Sequence, residues 1–96
     1  MIVGTCSIEL HLPGVQSLKE KRSIVKSLIA QIQKKFNAAA AEVGFHDVWQ
    51  SSTIGVAVVS THAVHANQWL ENIVDWIEHY RPDVDVIEHN IETIRL

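Results

Sequence analysis

The sequence predicts an α+β fold in which a four-stranded antiparallel sheet carries two helices on one face. Three observations predict it. Four segments have strand length and strand patterning, two repeat their apolar residues at helical spacing, and the order along the chain is β-α-β-β-α-β. Two crossover helices on one face of such a sheet is the ferredoxin-like solution to that order.

Each element has its own signal. Residues Ile2 to Leu12 alternate, with Ile2, Gly4, Cys6, Ile8, Leu10 and Leu12 on one side and Val3, Thr5, Ser7, Glu9 and His11 on the other. Pro13-Gly14 stops this half-buried strand. Ser17-Leu18-Lys19-Glu20 has the form of a capping box, in which the Ser17 hydroxyl accepts from the N–H three residues on and Glu20 reaches back to the N–H of Ser17. Leu18, Val25, Leu28, Ile29, Ile32 and Phe36 follow at helical spacing, so an amphipathic helix runs from Leu18 to about Phe36, with Asn37 at its end. Ala38 to Val43 is a second strand by position more than by propensity. Gly44 to Gln50 reads as a polar loop. Ser52 to Thr61 is β-branched with both faces apolar, which suits a central position. His62 to about Tyr80 is a second helix with Ala66, Leu70, Ile73, Val74 and Ile77 as its stripe, ended by Arg81-Pro82. Val84 to Leu96 is the last strand.

Composition bounds the function. Ninety-six residues at 47% apolar content make one domain, residues 1–96, rather than two cores or a disordered chain. Eight lysines and arginines against eleven aspartates and glutamates leave a formal charge of -3, which argues against a generally basic nucleic-acid coat. One cysteine, Cys6, excludes an intrachain disulfide, and its face of the strand makes it an inert core thiol. The N-terminal stretch has no basic leader and is broken by Glu9 and His11, so no secretory signal or membrane span is expected.

Right-handed crossovers bring four pieces to one end of the sheet: His11, the turn and helix start from Pro13 to Arg22, the loop from Glu42 to Gln50, and the turn Arg81 to Asp83. The stretches Glu9-Leu10-His11-Leu12-Pro13-Gly14, Ser17-Leu18-Lys19-Glu20-Lys21-Arg22, Ala41-Glu42-Val43, Asp47-Val48-Trp49-Gln50 and Gly55 to Ser60 together resemble the YlxP-like family over nearly the whole chain. That resemblance implies a ferredoxin-like fold in a bacterial cytoplasmic protein. It also implies genes commonly placed among those for translation initiation and ribosome maturation. It carries no established activity.

At that end, Lys19, Lys21 and Arg22 lie in the first turns of a helix, where cations oppose the helix dipole at a cost of about 0.3–1 kcal/mol each. Free N–H groups and positive charge there suit a phosphate. Lys19, Arg22 and Lys26 share one stripe and are read as a phosphate-contact surface, against an ordinary solvated face. Trp49 stacks on an unpaired base with Gln50 on its edge, or else caps the core under its loop; the second is favoured for Trp49. The first strand's outer face lacks the aromatics that RNA-recognition motifs use. His11 and Glu42 near one edge form a structural hydrogen bond or, less economically, an acid/base pair. His62 and His65 lack a third metal ligand. Trp69, Trp76 and Tyr80 recur on one flank of the second helix, as a widened core face or a partner interface.

The expectation is therefore a non-catalytic RNA- or ribosome-associated factor in translation or ribosome maturation, with ribosomal RNA or a ribosomal subunit as partner and no cofactor, metal or membrane. A homodimer or larger oligomer without nucleic-acid binding is the alternative. A small anionic ligand or an enzymatic role at the His11/Glu42 edge is the third reading.

Overall fold

Alternation along the first strand builds the layers of this fold. The computed structural model describes residues 1–96, in the order β1 (Ile2–His11), α1 (Leu18–Phe36), β2 (Ala39–Gly44), β3 (Ser51–Ser60), α2 (Ala63–Tyr80) and β4 (Asp85–Arg95). The sheet order is β2-β3-β1-β4 with every neighbouring pair antiparallel, and both helices lie over one face, as in the ferredoxin-like fold. Element ends fall within a residue of those the pattern predicts, where helix and strand ends fray in any case.

Ile2, Cys6, Ile8 and Leu10 of β1 point under the helices and are buried. They meet Ile54, Val56 and Val58 of β3, Val25, Leu28 and Ile32 of α1, and Leu70, Ile73, Val74 and Ile77 of α2 in one cluster. Gly4 is the exception on that face. A Cβ there would lie 3.0 Å from Leu70 Cδ1 and 3.1 Å from the Ala66 Cβ, so the missing side chain is what lets α2 approach the sheet.

Local chemistry sets the helix ends. Ser17 Oγ accepts from Glu20 N at 3.1 Å, as the capping box requires. The Glu20 carboxylate reaches one residue further than expected and accepts from Gln16 N, 3.1 Å. Asn37 adopts the left-handed conformation (φ 53°) and its N–H donates to Gln33 O, closing α1. In the α2–β4 turn, Arg81 holds Asp83 with two bonds, Nε to Oδ1 at 3.0 Å and Nη2 to Oδ2 at 2.8 Å. Those bonds hold the Asp83 carboxyl below its ordinary pKa.

The other face of the sheet is open, and its rows follow from the registers. Val59, Val3 and Ile94 form an apolar row at one end. Ala57 and Thr5, then Gly55 and Ser7, fill the middle with small side chains beside Ala39 and Ala41 of β2. Glu9 and Glu88 stand directly opposite each other further on, and His11 pairs with Asp85 at the far end. A bulge between Glu9 and Leu10 leaves Ile87 unpaired and exposed. It rephases β4 so that Val86 pairs with the buried Leu10 on the core side. No helix is long and apolar enough to cross a membrane.

Gly4→Val should lower the urea midpoint by the equivalent of about 1–3 kcal/mol without changing the slope, because the core has no room for the added methyls. Asp83→Asn should destabilise the fold at neutral pH. That deficit should shrink as pH falls below the ordinary carboxylate value of 3.8 and vanish once the folded-state carboxyl is protonated, since a lowered pKa stabilises only while the group is ionised.

Candidate functional site

Lys21 occupies a place in the core stripe of α1, four residues before Val25, and its side chain has no solvent exposure. A buried ammonium is tolerable only if its charge is paired and its three donors are used. Here Nζ lies 2.9 Å from Glu42 Oε2 of β2 and donates to the carbonyl of Phe45 and, at 3.3 Å, to that of His46. Glu42 Oε2 also accepts from the buried Ser52 hydroxyl of β3 at 2.5 Å. The network ties α1, β2, β3 and the 45–50 loop into one unit. Phe45 sits at φ 59°, a left-handed conformation unusual for a large residue, and its carbonyl is the one Lys21 grips. Lys21 is therefore removed from the expected phosphate-contact set: burial denies it to any ligand.

The loop is anchored at its other end as well. The Gln50 carbonyl accepts from Leu12 N (2.9 Å) and from His11 Nδ1 (3.0 Å), and Gln50 Nε2 donates to Val15 O (3.2 Å). The amide nitrogen of Gln50 is thus spent on the turn, while its Oε1 stays free. His11 and Glu42 do not pair. His11 is opposite Ser51 and faces the open side, whereas Glu42 is opposite Ile54 and faces the helices. This parity corrects both expectations for that edge, the structural hydrogen bond between His11 and Glu42 and the acid/base pair. All four pieces expected at this end of the sheet lie there, since Asp85, just after the Arg81–Asp83 turn, pairs with His11. The Arg81 side chain reaches from that turn to the middle of α1, where Nη1 donates to Gln31 Oε1, 2.6 Å.

Around this anchor the remaining cations are exposed. Lys19, Arg22 and Lys26 face solvent on α1, and only a long contact, 3.9 Å from Arg22 Nη2 to Asp47 Oδ1, engages Arg22. Trp49 is 52% exposed, so it does not cap the core. On α2, Trp69 is spent on the fold: it packs against the core and its indole N–H donates to Phe36 O at 2.9 Å. That corrects its place in the expected interface. Trp76 packs edge-on against Phe36, with centroids 5.8 Å apart, and remains half-buried, while Tyr80 is 71% exposed. His65 bonds Ser60 Oγ at 2.9 Å rather than His62. Cys6 is buried, and desolvation raises its pKa to about 11, so the thiol is neutral and unreactive at physiological pH.

A second feature was readable in the sequence and missed. Six of the eight lysines and arginines lie in α1, which carries one acidic residue, Glu20. The rest of the chain has two cations against ten carboxylates. Five of the six helix cations are exposed. The open sheet face has no lysine or arginine and presents Glu9, Asp85, Glu88 and Glu92 by register. The molecule is a dipole with α1 as its positive side.

The family described as "Protein of unknown function (DUF503)" matches residues 3–91. "Uncharacterized protein YlxP" of Bacillus subtilis (strain 168) is 31% identical over 84 residues, covering 88% of this chain and 90% of that protein. Among solved structures, the de novo designed protein Foldit4 superposes with a TM-score of 0.53 at 14% identity, covering 99% of this chain and 97% of that one. The de novo designed protein LFR1 1 with ferredoxin fold gives 0.53 at 16% identity, over 98% and 84%. At these identities the two designs bear on the fold alone.

Lys21→Met should destabilise the protein by about 3–5 kcal/mol, because Glu42 is left without its cation and two carbonyls lose a donor. Lys21→Met combined with Glu42→Leu should recover much of that loss in urea denaturation. A single-variant cost under about 1 kcal/mol would show that the pair is not a structural anchor.

Proposed function

This chain belongs to the DUF503 family of proteins of unknown function, and from that premise we propose that it is a non-catalytic RNA- or ribosome-associated factor whose contact surface is the exposed face of α1. One observation carries the reading: positive charge is concentrated on a single helix, while the open sheet face carries only negative charge. A phosphate backbone is attracted to the first surface and repelled by the second. RNA-recognition motifs stack bases on the open sheet, a mode that this face disfavours by charge as well as by its lack of aromatics on the central strands.

Lys19, Arg22 and Lys26 are the phosphate contacts of the helix start. Trp49, exposed in the loop anchored beside them, stacks on an unpaired base, and the free Oε1 of Gln50 accepts from a base edge. The genomic company implied by the family resemblance agrees with a partner in the ribosomal subunits. Self-association is the competing reading, and the row of exposed Val59 and Ile94 flanking half-buried Val3 favours it.

Three phosphate contacts set the scale. On a duplex segment the affinity should fall with a salt slope of about −2.7, so a fourfold rise in salt weakens binding roughly 40-fold. Sedimentation with ribosomal subunits at low and moderate salt, beside a Lys19→Ala/Arg22→Ala/Lys26→Ala variant, tests this. Salt-sensitive co-sedimentation of the wild type alone is expected, and Lys21 is left intact because its loss would unfold the site. Equal association of both proteins would sink the proposal. Absence of association by either, with a sedimenting mass above the 10.8 kDa of one chain, would favour the oligomer.

A further inference from the structure

The C-terminal half of α1 carries two cations, Lys34 and Lys35, that the helix start does not use. They border a groove between α1 and α2 made of two adjoining hollows, of about 600 and 470 Å³, that share Lys35 and Trp76. Both hollows are shallow and open to solvent. The floor is rigid. Phe36 and Trp76 pack edge to face at 72°, and the Phe36 carbonyl is pinned by the indole of Trp69. Tyr80 stands at the rim, largely exposed. Neither Lys34 nor Lys35 has an ion-pair partner, since the three ion pairs of the chain are Lys21–Glu42, Arg22–Asp47 and Arg81–Asp83.

Cations without counterions beside a preorganised aromatic floor match the two halves of a nucleotide, an anionic phosphate and a stackable base. The groove also has a polarity. Asp75 lies on the α2 wall and α2 contains no lysine or arginine, so phosphates are drawn to the α1 side and the base points to the α2 side.

We propose that the groove between α1 and α2 holds an unpaired nucleotide of single-stranded RNA, with its base stacked on Tyr80 and Trp76 and its phosphates on Lys34 and Lys35. This rests on the reading of α1 as an RNA-contacting helix and adds to it a preference: a duplex keeps its base faces inside the stack and offers none to the aromatic floor.

The test is fluorescence anisotropy of the full chain with a labelled 12-nucleotide single strand and with a duplex of the same sequence. Wild type is compared with Tyr80→Ala, Lys34→Ala/Lys35→Ala and Lys19→Ala/Arg22→Ala/Lys26→Ala. Tyr80 is exposed, so its loss leaves the fold intact. Wild type should prefer the single strand, and Tyr80→Ala should weaken single-strand binding by about 5- to 150-fold with duplex binding unchanged. The Lys34/Lys35 variant should weaken it too, with a shallower salt slope. If Tyr80→Ala and the Lys34/Lys35 variant bind like wild type while the helix-start variant does not, the groove proposal is overturned and the helix-start reading stands. If wild type binds neither RNA, both are overturned. A concentration-dependent dimer abolished by Tyr80→Ala would assign the groove to a second copy of the chain and overturn the proposal as well.

Discussion

A lysine ammonium cut off from water needs an anion and two further acceptors, and in this fold they come from separate parts of the chain. Lys21 takes its carboxylate from β2 and its carbonyls from Phe45 and His46 in the following loop. α1 can dock on the sheet only if those groups arrive with it, because the stripe that buries Val25, Leu28 and Ile32 also buries Lys21. The loop is consequently drawn back over the helix start, Phe45 is held left-handed, and Asp47 is brought near Arg22. The surface composed of Lys19, Arg22 and Trp49 is a by-product of satisfying one buried charge.

Charge segregation gives that surface its character. A net charge of -3 describes the average of a strongly basic helix and an acidic remainder. Within α1 the two ends differ in cost. Lys34 and Lys35 sit in the last turn, where the helix dipole favours cations, whereas Lys19 sits in the first turn, where the dipole opposes them. Glu20 offsets part of that opposition while it closes the capping interaction at Gln16. On the sheet side, Glu9 and Glu88 oppose each other with no cation on their face. The two sides of the molecule therefore suit different neighbours, phosphate on one and apolar or basic groups on the other.

Two designed proteins share this architecture at 14% and 16% identity. Sequences composed to a pattern reach the same arrangement of two helices on four strands, which places the origin of the fold in periodicity, caps and turns. The buried Lys21 network and the clustering of cations on one helix are additions to that pattern. They are where an argument about function has to begin.

Alternation in β1, the Ser17 cap, Asn37 at the end of α1 and the core stripe of α2 were all legible, because each depends on residues close in sequence. The inward face of Cys6 was legible for the same reason. Lys21 was misassigned because residue type suggested solvent, although its spacing to Val25, Leu28 and Ile32 placed it in the stripe. Glu42 was matched to His11 because both lie near one edge, and the pleat puts them on opposite faces. Trp49 is exposed where a core cap was expected, and Trp69 took the core-face alternative rather than the interface one, committed to the Phe36 carbonyl, since aromatic exposure depends on what packs above the ring. The sequence by itself determined the order of elements, the sheet topology and the faces of the central strands, through periods set by local backbone geometry. Only the tertiary structure decided which charges are buried, which are free and which aromatics border a groove, because those outcomes depend on partners far apart in the chain and on the parity of each strand.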